Sequence, residues 1–135
     1  MQINSVTNRS MTTALCTRVL VVEDEFLIRM LVSDHLREMG YNVVEACNGD
    51  EAVTVLKSGI LIDLVYTDVR MPGATDGLAL LAFVKRTQPD TPVVMTSGHL
   101  SPGLALAGGA SHFLSKPCDL DSITAAIDEA LLQAS

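Results

Sequence analysis

The chain has 135 residues, nearly half of them apolar and few aromatic, a composition that builds one aliphatic core and excludes a disordered or fibrous chain. Its net charge of −7 disfavours nucleic acid and anionic membrane surfaces as direct partners. No apolar run approaches the ~20 residues that a membrane span needs, and the polar opening MQINSVTNRSMTTALCT lacks the apolar centre of a secretory signal. Residues 1–17 are therefore expected to be a loose extension, and 18–135 one cytoplasmic domain. Cys16, Cys47 and Cys118 show no metal-ligand spacing and are expected to be free thiols in a reducing compartment.

From Arg18 onward strands and helices alternate. VLVVE (19–23) is a β-branched run of the kind buried in a parallel sheet. A helix follows, with Ile28, Leu31, Val32, Leu36 and Met39 on one stripe and Gly40 as its stop. His35 lies within that stripe and reads as a packed or edge histidine, because no second ligand type lies nearby. NVVEA (42–46) is the second strand, and Asn48 with Glu51 three residues on caps a short helix through Leu56. LIDLVYTD (61–68) is the third strand. Gly77 to Arg86 is helical, with Leu78, Leu81 and Val84 for the core, and ends near Pro89.

TPVVMTS (91–97) is the fourth strand. GHLSPGLALAGG then allows only a short or irregular helix. SHFLS (111–115) is the fifth strand, and the last helix starts at Asp119 as N-cap, with Leu120, Ile123, Ile127 and Leu131 facing inward. The alternation implies a parallel α/β sheet with right-handed crossovers.

In open α/β sheets, ligands bind at the carboxyl ends of the strands. Glu23, Asp24 and Glu25 close the first strand, Asp68 the third and Thr96-Ser97 the fourth, while Lys116-Pro117 follows the fifth. Singly, each has an ordinary explanation: a helix cap, a turn residue, a loop hydroxyl, a solvated lysine. Together, if the first and third strands are neighbours, they make one crevice of carboxylates flanked by a hydroxyl and an ammonium. Crowded carboxylates favour protonation unless a cation neutralises them, and hard oxygen ligands suit Mg²⁺. Such a site fits phosphoryl transfer to Asp68.

These segments resemble the receiver domains of two-component response regulators. VLVVEDE resembles the family's first-strand motif, DLVYTDVRMPGATDG its phosphoacceptor segment, PVVMTSGH its fourth strand and GASHFLSKP its fifth. The resemblance implies a flavodoxin-like, doubly wound five-stranded sheet in the order 2-1-3-4-5. It implies that Asp68 takes a phosphoryl group from a phosphohistidine of a sensor histidine kinase or histidine phosphotransfer protein. Glu23, Asp24, Asp68 and the backbone carbonyl of Arg70 would hold Mg²⁺ or Mn²⁺. Ser97 and Lys116 would stabilise the phosphoryl group, and the Lys116-Pro117 bond would be cis. Ser97 and Phe113 would form the switch, and Arg70 and His99 would tune phosphoryl lifetime.

The sequence departs from the family pattern in three places. Glu23 stands where Asp is commoner, so its carboxylate reaches one methylene further. The Ser97-Gly98-His99 ending resembles a subgroup with Thr/Ser-Gly-aromatic there. The segment from Ser97 to Lys116 is shorter than in chemotaxis-type regulators by about one helical turn.

The expected partners are the phosphodonor and a downstream target protein, with a homodimer through the face of the fourth helix, fifth strand and fifth helix as a further contact. Neither nucleic acid nor membrane is expected to bind directly. The initial Met and polar leader point to a stand-alone receiver. The chief alternative is a degenerate receiver that acts as an interaction module without phosphate. A flavin or nucleotide site would want a Gly-rich loop where this chain has Glu-Asp-Glu. An aspartyl-nucleophile hydrolase would want its nucleophile on the first strand.

Overall fold

The valine-rich runs of this sequence are buried on both sides, as strands of a parallel sheet must be. The computed structural model describes residues 17–98 and 102–134. Among these, five strands, β1 (Arg18–Val22), β2 (Asn42–Ala46), β3 (Leu64–Asp68), β4 (Val93–Ser97) and β5 (His112–Ser115), alternate with helices α1 (Phe26–Glu38), α2 (Gly49–Lys57), α3 (Gly77–Thr87), α4 (Pro102–Ala107) and α5 (Leu120–Ala134). The sheet order is β2-β1-β3-β4-β5, with every pairing parallel. The fourth helix is short, as the Gly- and Pro-punctuated segment requires.

Strand side chains alternate between two cores. Leu20, Val22, Val65, Val93 and Met95 pack with Ala52 and Leu56 of α2, with Leu80, Leu81 and Val84 of α3, and with Ala105 of α4. Val19, Val21, Leu64, Tyr66 and Val94 pack with Val32 and Leu36 of α1 and with Ile123, Ala126, Ile127 and Ala130 of α5. The expected α1 stripe needs correcting: Leu31 and Met39 are 57% and 51% exposed, and Ser33 is buried with Val32 and Leu36 instead. In α3 the buried set is Leu80, Leu81 and Val84, while Leu78 packs only at the margin.

Several ends are shorter than the apolar runs that suggested them. Residues 61–63 precede β3: Leu61 is exposed, and the Asp63 carboxylate accepts the Arg18 N–H at 2.8 Å. The caps fall where expected. Asn48 accepts the Glu51 N–H at 2.8 Å, and the Glu51 carboxylate accepts the Cys47 N–H at 2.9 Å. Asp119 accepts the Ser122 N–H at 2.7 Å. The expected extension lies, apart from Thr17, outside the described residues, and so does His99. No helix among the described residues is long and apolar enough to cross a membrane.

Candidate functional site: an acidic crevice at the strand ends

β1 and β3 are neighbours, with Val22 level with Thr67, so the residues that leave β1 stand beside the last residue of β3. Glu23, Asp24 and Asp68 each bring one carboxylate oxygen to within 4.8 Å of the others. Glu23 and Asp68 are buried and Asp24 is exposed, so the cluster opens to solvent on the Asp24 side. Lys116 reaches in from the segment between β5 and α5. Its Nζ lies 2.9 Å from Asp68 Oδ2 and 3.6 Å from Glu23 Oε1. The Lys116-Pro117 bond is cis.

The electrostatics follow from this crowding. Burial pushes the Glu23 carboxyl up to about 7, with the Asp68 charge adding to it; the Glu25 N–H and the Lys116 ammonium pull the other way. Burial works against the charge on Lys116, yet the hydrogen bond and charge of Asp68, with Glu23 behind them, hold its ammonium above the ordinary lysine value.

Of the two Glu23 carboxylate oxygens, Oε2 accepts the Glu25 N–H at 3.1 Å. Oε1 is buried with no hydrogen-bond partner. A buried oxygen without a hydrogen bond, 3.6 Å from the Lys116 ammonium and beside two further carboxylates, belongs to a donor set that suits a hard divalent cation. The residues present therefore fit such an ion.

The other expected site residues sit around this centre. Arg70 is exposed and, with Asp24, Val69, Met71, Pro72 and Asp76, lines a cavity of about 520 Å³. Ser97 is buried at the end of β4, level with Ser115, and its carbonyl accepts the Lys116 N–H at 3.0 Å. The ladder pairs Asp68 with Thr96, so the residue that ends β4 lies one step further along, toward Lys116. Phe113, level with Met95 on β5, is half-buried against the α3/α4 core. His35 is half-buried on the edge of a second groove, of about 890 Å³, between α1 and α5. Lys116, Tyr66 and Leu120 also line that groove.

Two contacts at the site carry no local sequence signature. The Arg29 guanidinium donates to the Glu23 carbonyl at 2.8 Å and pairs with Glu45 at 3.4 Å, pinning the chain where it leaves β1. Thr96 Oγ1 is buried beside the Tyr66 phenol without a well-formed hydrogen bond. Both depend on residues brought together from different strands and helices.

Residues 19–128 match the family model of the response regulator receiver domain. Similar curated proteins include the transcriptional regulatory protein GlrR of Escherichia coli, 38% identical over 87% of this chain and 27% of that protein. The sensor kinase CckA of Brucella abortus is 36% identical over 84% of this chain and 12% of its own length. The chain spans about a quarter of the length of the first curated relatives it matches.

Among solved structures, the receiver domain of NtrX from Brucella abortus is 36% identical with a TM-score of 0.76, over 84% of this chain and 98% of that one. A CheY-like receiver domain protein from Methanospirillum hungatei JF-1 shares the fold with a TM-score of 0.81 at 24% identity, over 87% of this chain and 95% of that one. The chain belongs to the response regulator receiver domains, the phosphoacceptor modules of two-component signal transduction.

Proposed function

We propose that Asp68 is the phosphoacceptor of this receiver. It takes the phosphoryl group from a phosphohistidine of a sensor histidine kinase or histidine phosphotransfer protein and passes the change to a partner protein. One observation carries the reading: the Asp68 carboxylate is held at 2.9 Å by Lys116 beside the buried Oε1 of Glu23, which accepts no hydrogen bond. An ammonium already in place and a carboxylate oxygen without a hydrogen bond are what an incoming phosphoryl group and its metal would use.

An Asp68 oxygen attacks phosphorus. The O–P bond forms as the P–N bond of the phosphohistidine breaks, and the imidazole nitrogen leaves with the bonding pair. Lys116 holds the Asp68 carboxylate in place through its 2.9 Å contact, then pairs with a phosphoryl oxygen, while Ser97 donates to another. Glu23, Asp24, Asp68 and the backbone carbonyl of Arg70 would hold Mg²⁺ or Mn²⁺, which when bound neutralises charge on the transferring phosphoryl oxygens. Hydrolysis is the reverse in kind: water attacks phosphorus and Asp68 departs as carboxylate. The chemistry is confined to the protein's own side chain, with Arg70 and His99 as residues that tune the lifetime.

Phe113 reads the modification. Its half-buried ring stands on β5, level with Met95 and two residues before Ser115, the partner of Ser97; a Ser97 hydroxyl drawn toward phosphate would leave room for it. The two-state element is then the α4, β5 and α5 face, biased by one new dianion, and that face is the dimer contact of this reading. Exposed Phe26, Leu27 and Leu31 on α1, the last of them lining the groove that contains Lys116, support α1 as the docking face for the phosphodonor protein. Residues 18–135 make up the domain in this reading and 1–17 its extension. A cytoplasmic location follows from the kinase chemistry it serves.

Incubation with acetyl phosphate and Mg²⁺, followed by intact mass measurement, tests the assignment. Wild type gains one phosphoryl group, and Asp68→Asn gains none. Equal labelling of the Asn variant defeats the site assignment. A wild type that takes no phosphate favours a phosphate-independent interaction module.

A further inference from the structure

Building on the phosphoacceptor reading, we propose that Gly49 and Asp50, in the first turn of α2, are positioning residues for the loop after Asp68 and set how tightly the acidic cluster holds its cation. That loop, residues 70–76, supplies Arg70, Met71, Pro72 and Asp76 to the cavity into which Asp24 opens. Its ends are fixed by the sheet and by α3: the Val69 N–H donates to the Thr96 carbonyl at 3.0 Å, and the Gly77 N–H to the Val69 carbonyl at 2.8 Å.

The middle of the loop is held by α2. The Asp50 carboxylate accepts the Ala74 N–H at 3.3 Å across 24 residues of sequence. Gly73, at φ +102°, passes so close that a Cβ there would stand 2.9 Å from Asp50 Oδ2. One residue earlier in the helix, a Cβ on Gly49 would lie 2.1 Å from the Thr75 carbonyl oxygen and 2.8 Å from its carbon. These are backbone atoms, so any side chain at Gly49 displaces the loop or the helix.

An acid in the first turn of a helix is ordinarily explained by the helix dipole. That explanation requires neither a bond to a distant loop nor a missing side chain beneath it. Here two consecutive residues meet three consecutive loop residues, Gly73 to Thr75, so α2 forms the surface against which the wall of the cavity is shaped. A small hard cation tolerates little displacement of its oxygen ligands, and partners that orient ligands from behind influence its affinity strongly.

The test is Mg²⁺ binding by isothermal titration calorimetry on the full chain, with thermal melting in a metal-free chelator buffer run alongside. Asp50→Ala is expected to weaken Mg²⁺ binding roughly tenfold with little change in the metal-free melting temperature. Asp50→Asn, which keeps an oxygen to accept the Ala74 N–H, restores most of the affinity. Gly49→Ala weakens binding as well; should it not fold, the two Asp50 variants decide. Asp50→Ala that binds as wild type does, or that loses affinity only in step with a lowered melting temperature, overturns the proposal alone. A wild type without measurable Mg²⁺ affinity brings down the phosphoacceptor reading and this inference with it.

Discussion

The ammonium of Lys116 stands between two buried acids, 2.9 Å from Asp68 Oδ2 and 3.6 Å from Glu23 Oε1, so one positive charge is shared by both carboxylates. The same charge that would steady a phosphoryl oxygen repels a divalent cation bound to those carboxylates. Lys116→Ala should therefore separate two quantities that a general loss of structure would move together. At pH 8, Mg²⁺ binds more tightly than to wild type, while labelling of Asp68 by acetyl phosphate slows by roughly a hundredfold. Calorimetry and time-resolved intact mass read the two. A variant that loses both Mg²⁺ affinity and labelling contradicts this division of roles.

Glu23 makes stability depend on pH in the opposite sense to most carboxylates. Its folded-state pKa is raised from 4.5 to about 7, chiefly by burial. A raised folded value means that the group's contribution is fully present below 4.5 and is lost as pH rises through about 7. In metal-free buffer, Glu23→Gln should be unremarkable beside wild type at pH 4.5 and relatively more stable at pH 8, because it removes a buried charge. Denaturant melts at the two pH values measure the difference. If the gap between the proteins does not widen with pH, Glu23 is not held protonated by the fold.

What the sequence made legible was local or strictly periodic. The cap at Asn48 and the strand 42–46 could be read because their partners lie within a few residues. The four chemical residues Glu23, Asp24, Asp68 and Lys116 could be read because a parallel sheet collects strand ends whatever the loops do. The α1 stripe was harder. Apolarity alone placed Leu31 and Met39 inward, but the positions that α1 buries are Val32, Ser33 and Leu36. Arg29 and Asp50 were invisible as site-supporting residues, since each acts on backbone supplied by another part of the chain: the Glu23 carbonyl and the Ala74 N–H.

Leu80 shows the energetic weight of one such revision. It is fully buried among Val65, Val93 and the neighbouring helices, whereas Leu78 sits at the margin of the same core. Leu80→Ala should cost about 2–5 kcal/mol, and Leu78→Ala clearly less, measured by urea unfolding at constant m-value. Equal losses would mean that both side chains fill the core alike, against the burial seen here.

The two adjacent hydroxyls at the end of β4 give the most discriminating comparison. Thr96 is level with Asp68 in the ladder, but its Oγ1 is buried beside Tyr66 without a well-formed hydrogen bond. Replacing it by an isosteric apolar group removes a desolvated hydroxyl and no strong interaction. Thr96→Val should therefore label as fast as wild type and be as stable or slightly more so, within about 1 kcal/mol. Ser97 continues the strand to the point where its carbonyl meets the Lys116 N–H at 3.0 Å, which is the side from which the ammonium reaches Asp68. Neighbouring strand residues point to opposite faces, so only one of the two hydroxyls can serve the phosphoryl group. Losing one hydrogen bond to a charged acceptor, ~1.5–3 kcal/mol, slows a reaction by roughly ten- to a hundredfold, and that is the expectation for Ser97→Ala in both labelling by acetyl phosphate and decay of the phosphorylated form. If Thr96→Val slows these steps and Ser97→Ala does not, the hydroxyl role moves one residue back, onto the position that the ladder already sets beside Asp68.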